Sequence, residues 1–321
     1  MSAATPKWLY SIEAGFQAMS EYSQSRALGF AFVTLLMWST AATAFKLTLR
    51  YATVLQTLAI AVAISSLALL MLVALNRQGK TLITVLRQYW RISLVAGLMN
   101  PVIYYLILFE AYDRLPAQLA QPINITWTIV LSLMAGFLLR QPIQRFDYLA
   151  AVISYGGVIL IVSQGDLAGI FNADWIGVGL AILSTLVWAG YWTVNIQDKR
   201  PPLVGMCLNF LVATPVVLLV WLVLDGEVPS AEGVLGGVYI GLFEMSLAFV
   251  CWSLALKSTP NAATISNLIF LSPFLSLQFI EWLVGETIHW TTYVGLVIII
   301  AGIAYQQLRH RQLSHNANPI Q

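Results

Sequence analysis

The sequence predicts an all-α integral membrane protein, with ten transmembrane helices arranged as two inverted five-helix repeats. Three observations carry this reading. Hydrophobic residues make up 59% of the 321-residue chain and charged residues only 9%, against about 25% charged in a soluble domain. The apolar residues gather into ten runs, each near the length of about 20 residues that a helix needs to cross a bilayer. The two halves of the chain also resemble each other at a nearly constant offset.

The runs are 27–46, 53–75, 92–112, 117–139, 146–164, 175–196, 203–224, 234–256, 261–283 and 291–308. The first follows Arg26 and closes at Lys46. The second stops before Arg77 and Lys80, and the third starts after Arg87 and Arg91. Only Asp113, Arg114, Leu115 and Pro116 part the third from the fourth. Together these two runs are too long for one crossing, and Pro116 sits poorly inside a helix, so a tight re-entry is expected. The fourth ends at Arg140. The fifth lies between Arg145 and Asp166, and the sixth between Asp174 and Lys199. The seventh ends before Asp225 and Glu227, the eighth spans from beyond Glu232 to Lys257, the ninth stops before Glu286, and the tenth stops at Arg309. The segment 1–26 carries Lys7, Glu13, Glu21 and Arg26 and lacks the apolar core of a signal peptide. It is read as a cytoplasmic lead-in, either a short surface helix or disordered, and 309–321 as a cytoplasmic tail. The repeats are placed at 27–164 and 175–308.

Loop charges set the direction. With the N-terminus inside, 13 of the 16 Lys and Arg residues fall in inner segments, and only Lys46, Arg50 and Arg114 fall outside. The outer loops instead hold Asp113, Asp166, Asp174, Asp225, Glu227, Glu232 and Glu286. Nine or eleven spans would scramble that alternation. A multi-pass protein of the cell membrane with both termini in the cytoplasm is therefore expected. The net charge of +2 gives no reason to expect nucleic acid. Cys207 and Cys251 lie inside apolar runs, where they read as small buried residues and not as a disulfide or a metal site.

The repeat pairs 29–50 with 179–200 at an offset of 150, matching Gly29, Trp38, Thr43 and Arg50 to Gly179, Trp188, Thr193 and Arg200. Farther on, an offset of 144 matches Gly97 to Gly241, Pro116 to Pro260 and Leu131-Ser132-Leu133 to Leu275-Ser276-Leu277. Five spans is an odd number, so the second half enters the membrane the opposite way round. Inverted repeats are recurrent in secondary transporters, with the solute site near the midplane between the halves.

The segments LLMWSTAATAFK and FEAYDRLPAQLAQPI, and the stretch from SLALKSTPNAATISN to VGETIHWTTYVGLVIIIAGI with its Gly285-Glu286 turn, carry a further likeness. Over roughly 27–308 the chain resembles the drug/metabolite transporter superfamily, in its EamA-type ten-helix branch. The resemblance implies gradient-driven movement of small organic solutes, often export. The Trp-Ser-Thr of the first span and the aromatic-rich helices are similar to the aromatic amino acid exporters. The first half departs from the pattern, with Arg140-Gln141-Pro142 where a Gly-Glu turn is usual.

Polar groups at membrane depth must face protein or water. Gln121, Asn124, Thr128 and Ser132 share one face of the fourth span. They read either as a cavity wall or as interhelical hydrogen bonding. Glu244 lies mid-span, where an ionised carboxylate costs about 2.5–3.5 kcal/mol, and its repeat mate is Asn100. It reads as a binder of an ammonium or a proton, or as a structural hydrogen-bonder. Glu110 and Glu281 sit near span ends. Trp38 and Trp188 are repeat mates too deep for an interfacial belt, and suit either a cavity or core packing. Gly233, Gly237 and Gly241 recur every fourth residue, as close helix contact requires. The expected substrate site is Trp38, Asn100, Gln121, Asn124, Trp188, Tyr191, Glu244 and Asn267.

The sequence thus points to a secondary-active transporter, with amino acids or related amphipathic compounds exported by alternating access. The rival readings are an intramembrane enzyme and an importer of a sugar or nucleotide derivative. No nucleotide loop is present, and His289, His310 and His315 lie outside the spans. No cofactor or metal is implied. The expected partners are a small-molecule solute, the lipid bilayer and protons, with the chain a monomer or a weak homodimer.

Overall fold

The computed structural model describes residues 23–138, 142–259, 265 and 268–317. Every regular element among them is helical. Nine of the described helices are long and apolar enough to cross a membrane, and a tenth apolar helix is shorter. We label them α1 Gln24–Thr48, α2 Val54–Leu75, α3 Gly79–Arg114, α4 Ala117–Gly136, α5 Arg145–Ser163, α6 Trp175–Ile196, α7 Pro202–Leu224, α8 Ala231–Lys257, α9 Ile269–Val284 and α10 Trp290–Ala317. A short helix, Leu167–Asn172, precedes α6. The outward faces are apolar: Leu67, Met71, Leu75, Val152, Leu219 and Val223 are all well exposed. A surface of that kind suits acyl chains and not water.

Helices begin where a polar side chain supplies the partner that the first amides lack. Ser23 accepts from the Arg26 amide at the start of α1. Thr53 and Gln56 form a reciprocal capping box on α2, and Asp174 accepts from the Ile176 and Gly177 amides at 3.0 Å on α6. Asp225, in the loop after α7, accepts from the Thr53 hydroxyl at 2.5 Å and from Gln56 Nε2 at 3.1 Å. The Thr53 bond is the main reason its carboxyl is held below the usual range.

Four of the labelled helices, α3, α4, α8 and α9, depart from simple rods. α9 runs as a 3-10 turn, Ile269–Leu271, then Ser272–Phe279, then a π-helical end, Ile280–Val284. α3 starts at Gly79, well before the expected 92, because the basic stretch with Lys80, Arg87 and Arg91 is itself helical and joins the span across a kink at Tyr89. Within the span, Leu98–Ile103 widens to a π-helix around Pro101, which has no amide to donate. α4 breaks at Thr126, between Ala117–Ile125 and Trp127–Leu138, where the Thr126 hydroxyl donates to the Ile123 carbonyl at 2.7 Å. α8 widens over Ile240–Leu247, and the Ser246 hydroxyl reaches the Gly241 and Leu242 carbonyls, each at 2.8 Å. The π segments of α3 and α8 coincide under the 144-residue offset, so the repeat extends to the backbone irregularities.

The packing follows the same relation. α1 packs on the C-terminal part of α8 as its mate α6 packs on the C-terminal part of α3, and α4 packs on α6 as α9 packs on α1. α2 packs on α7 and α5 on α10, each against its own mate. The halves are therefore interleaved, as expected of two inverted repeats, and their shared centre is lined by helices from both.

The glycines of α8 permit one tight contact. A Cβ at Gly241 would stand 2.5 Å from the Ala61 carbonyl oxygen, and one at Gly237 would stand 2.8 Å from Ile60 Cγ2. We expect Gly241→Leu to overpack the α2–α8 contact by about 1–3 kcal/mol or more. Thermal unfolding in detergent should show a lowered midpoint; an unchanged midpoint would mean that the helices separate freely here.

Candidate functional site

A cavity of about 390 Å³ occupies the shared centre. The first half contributes Trp38, Ala41 and Ala42 of α1, Tyr104 and Tyr112 of α3, and Gln121, Asn124, Trp127 and Thr128 of α4. The second contributes Trp188 and Trp192 of α6, Glu244, Phe249 and Trp252 of α8, Phe270, Ser272 and Pro273 of α9, and Gln307 of α10. Ala41 and Ala42 leave room on α1 that larger side chains would fill.

The walls are mainly aromatic. Trp38 meets Phe249 edge-on at 5.4 Å and Trp252 at 5.7 Å. Trp188 stacks on Tyr104 at 4.4 Å and stands edge-on to Trp127 at 6.2 Å, while Trp127 lies parallel to Trp192 at 6.2 Å. Such contacts hold the indole planes in place. Trp38 and Trp188, the repeat mates, both contact Phe249, at 5.4 and 6.1 Å.

Polar groups are few and specific. Glu244 Oε2 accepts from the Tyr105 hydroxyl at 2.8 Å, and the partial exposure of Glu244 is toward the cavity it lines. Asn124 Nδ2 donates to Ser184 Oγ at 2.9 Å, and Asn124 Oδ1 accepts from Tyr104 at 3.4 Å. Gln121 Oε1 and Trp192 Nε1 are buried without a hydrogen-bond partner. A buried polar atom left unpaired costs free energy.

Of the residues expected from sequence, Trp38, Gln121, Asn124, Trp188 and Glu244 line this cavity. Thr128 of the fourth-span stripe lines it too; Ser132 is not among the lining residues. Asn100 and Tyr191 lie elsewhere. They stand beside one another and beside Asn209, and Asn100 Oδ1 is buried without a partner. Asn267 lies outside the described residues. Near Asn209, Arg200 is fully buried: it forks onto Asp198 at 2.7–3.0 Å and donates to Ser93 and Asn209. A buried guanidinium needs this full set of acceptors. Sequence reading had used Arg200 only for orientation and as the repeat mate of Arg50. Trp127, Trp192 and Trp252 lie on the aromatic-rich spans but were not selected, and Phe249, Phe270 and Gln307 gave no signal beyond ordinary span residues.

Beyond the cavity, the predicted outer ends of the helices are tied together. Lys46 of α1 donates to the Tyr112 and Leu115 carbonyls at 2.7 and 2.8 Å, closing the end of α3. Arg50 donates to the Val284 carbonyl at 2.7 Å. Gly285 takes φ +80°, a value that favours glycine, and so turns Glu286 onto the start of α4. There Glu286 accepts from the Ala117 and Gln118 amides at 2.8 and 3.1 Å, which puts a carboxylate at a helix N-terminus. Gln118 completes the tie, donating to the Thr287 carbonyl and accepting from the His289 amide and the Thr292 hydroxyl.

The profile of the EamA-like transporter family matches residues 25–163 and again 175–305. Among curated relatives, an "uncharacterized transporter" of Clostridium kluyveri is 28% identical over 179 residues, 52% of this chain and 56% of the relative. The chain thus spans little more than half of that protein's length. The protein PecM of Dickeya dadantii is 25% identical over 68% of this chain and 73% of its own, and the "uncharacterized transporter YvbV" of Bacillus subtilis is 25% identical over 73% and 76%. A solved crystal structure superposes over 91% of this chain and 99% of its own with a TM-score of 0.64 at 22% identity, a likeness of fold.

Proposed function

The chain belongs to the EamA-like transporter family, and from that premise we propose that it is a secondary-active exporter of small amphipathic organic solutes, amino acids or related compounds. The observation that carries this is the central cavity, walled by both repeats and combining aromatic planes with one carboxylate. A site shared by two inverted halves can be exposed to either side by rocking one half against the other. In this reading the repeats 27–164 and 175–308 are the moving units. The tie through Lys46, Arg50, Gln118 and Glu286 closes the outer side, and Glu244 carries the solute's ammonium or a coupling proton.

The chain sits in the cell membrane with 1–26 and 309–321 in the cytoplasm, as the placement of its Lys and Arg residues favours. Single cysteines at 226–231 should react with an impermeant thiol reagent added outside intact cells. Reaction only after the inner face is opened would reverse the topology. The carrier reading itself is tested by counterflow: purified protein in liposomes loaded with unlabelled solute should accumulate labelled solute without ATP. A strict ATP requirement would end this reading.

A further inference from the structure

We propose that the cavity selects protonated aromatic amines whose carboxyl group is absent or masked as an amide, and discriminates against free amino acids. This rests on the carrier reading above and takes its related amphipathic compounds, not the free amino acids, as the substrate class. The first ground is charge. Glu244 is the one ionisable carboxylate among the described lining residues, and no Lys, Arg or His is among them. The cations nearby are committed elsewhere: Lys46 to the carbonyls that end α3, Arg200 to Asp198, Ser93 and Asn209. An amine entering beside Glu244 forms a neutral pair. A zwitterion brings a second carboxylate into an apolar chamber with no cation to meet it, and an unpaired buried charge is strongly disfavoured.

The second ground is the neutral polar lining. Gln121 and Asn124 are carboxamides on the cavity wall, and a primary amide, whose N–H₂ donates and whose carbonyl accepts, meets such groups without bringing a charge. The third is shape and surface. Trp38, Trp188 and Phe249 form a cluster of ring faces and edges, which suits a flat ring and attracts a cation to the indole face.

Four compounds that share a phenyl ring separate these features: phenethylamine, phenylalaninamide, phenylalanine and 3-phenylpropionate. Calorimetry with the purified protein should show phenylalaninamide and phenethylamine binding at least about tenfold more tightly than phenylalanine or 3-phenylpropionate. Glu244→Gln, which keeps the Tyr105 bond, should collapse that ratio. Gln121→Leu should weaken phenylalaninamide more than it weakens phenethylamine. Phenylalanine binding as well as its amide, a ratio unmoved by Glu244→Gln, or no binding by either amine would overturn the inference. The carrier reading fails separately: amine-selective binding with no counterflow of the bound amine sinks transport and leaves the site chemistry standing. Counterflow of phenylalanine without amine preference does the reverse.

Discussion

Glu244→Gln is expected to lower transport by at least about tenfold, the scale of losing one charged partner in a desolvated pair, and to flatten its pH dependence near neutrality. The substitution keeps side-chain length and an oxygen to accept from Tyr105, so folding and protein level should survive. The argument rests on the surroundings. The groups facing Glu244 from packed helices are the phenols Tyr104, Tyr105 and Tyr112, and phenols ordinarily titrate far above neutrality. Glu244 is therefore the carboxyl in the described cavity wall able to exchange a proton with water or solute. Uptake measured from pH 5.5 to 8.5 should slope for the wild type and lie flat for the variant. A variant with wild-type rates and slope would reduce Glu244 to a structural hydrogen-bonder.

Glu286→Ala should have the second large effect, on the balance between conformations. Its two bonds to the Ala117 and Gln118 amides exist only while α4 and the α9–α10 turn meet. Hydrogen bonds to a charged group contribute about 1.5–3 kcal/mol each. Removing both should move the equilibrium toward an outward-open state by at least about tenfold. The direction follows because the bonds belong to the closed state alone. A cysteine replacing Tyr112, at the predicted outer end of the cavity wall, should then react at least about tenfold faster with an external thiol reagent. An unchanged rate would show that the tie does not hold the outer side shut.

The helical architecture was legible because the bilayer imposes a simple rule, an apolar run of sufficient length, and the sequence obeys it from α1 onward. The irregular backbone was not. Pro101 hinted at the break in α3, but nothing in Ile240–Leu247 announces a π-helix except a glycine and a serine, both common in spans. Those irregularities decide the site. Asn100 takes non-helical φ −143° and ψ 115° just before Pro101, a break not seen in the α8 segment, so equal depth does not guarantee equal facing. Asn100 and Glu244 are repeat mates in mated π segments. Yet Glu244 lines the cavity while Asn100 stands by Tyr191, and α3 offers Tyr104 to the cavity in its place. The fourth-span stripe was easier to read, because Gln121, Asn124 and Thr128 keep helical spacing despite the break at Thr126. Trp192 and Trp252 resembled interfacial or core aromatics; only the packing of α6 and α8 around the centre distinguishes them.

The central claim is that solute passes through the cavity between the two repeats. Ala42 on the α1 wall tests it most directly, since it is small and its side chain is not part of any polar contact proposed to bind solute. In a chain whose Cys207 and Cys251 are replaced by alanine, Ala42→Cys should leave counterflow measurable. A bulky thiol reagent should then abolish exchange, and saturating solute should slow the labelling. Full exchange after stoichiometric labelling at this position would contradict the account and place the route elsewhere.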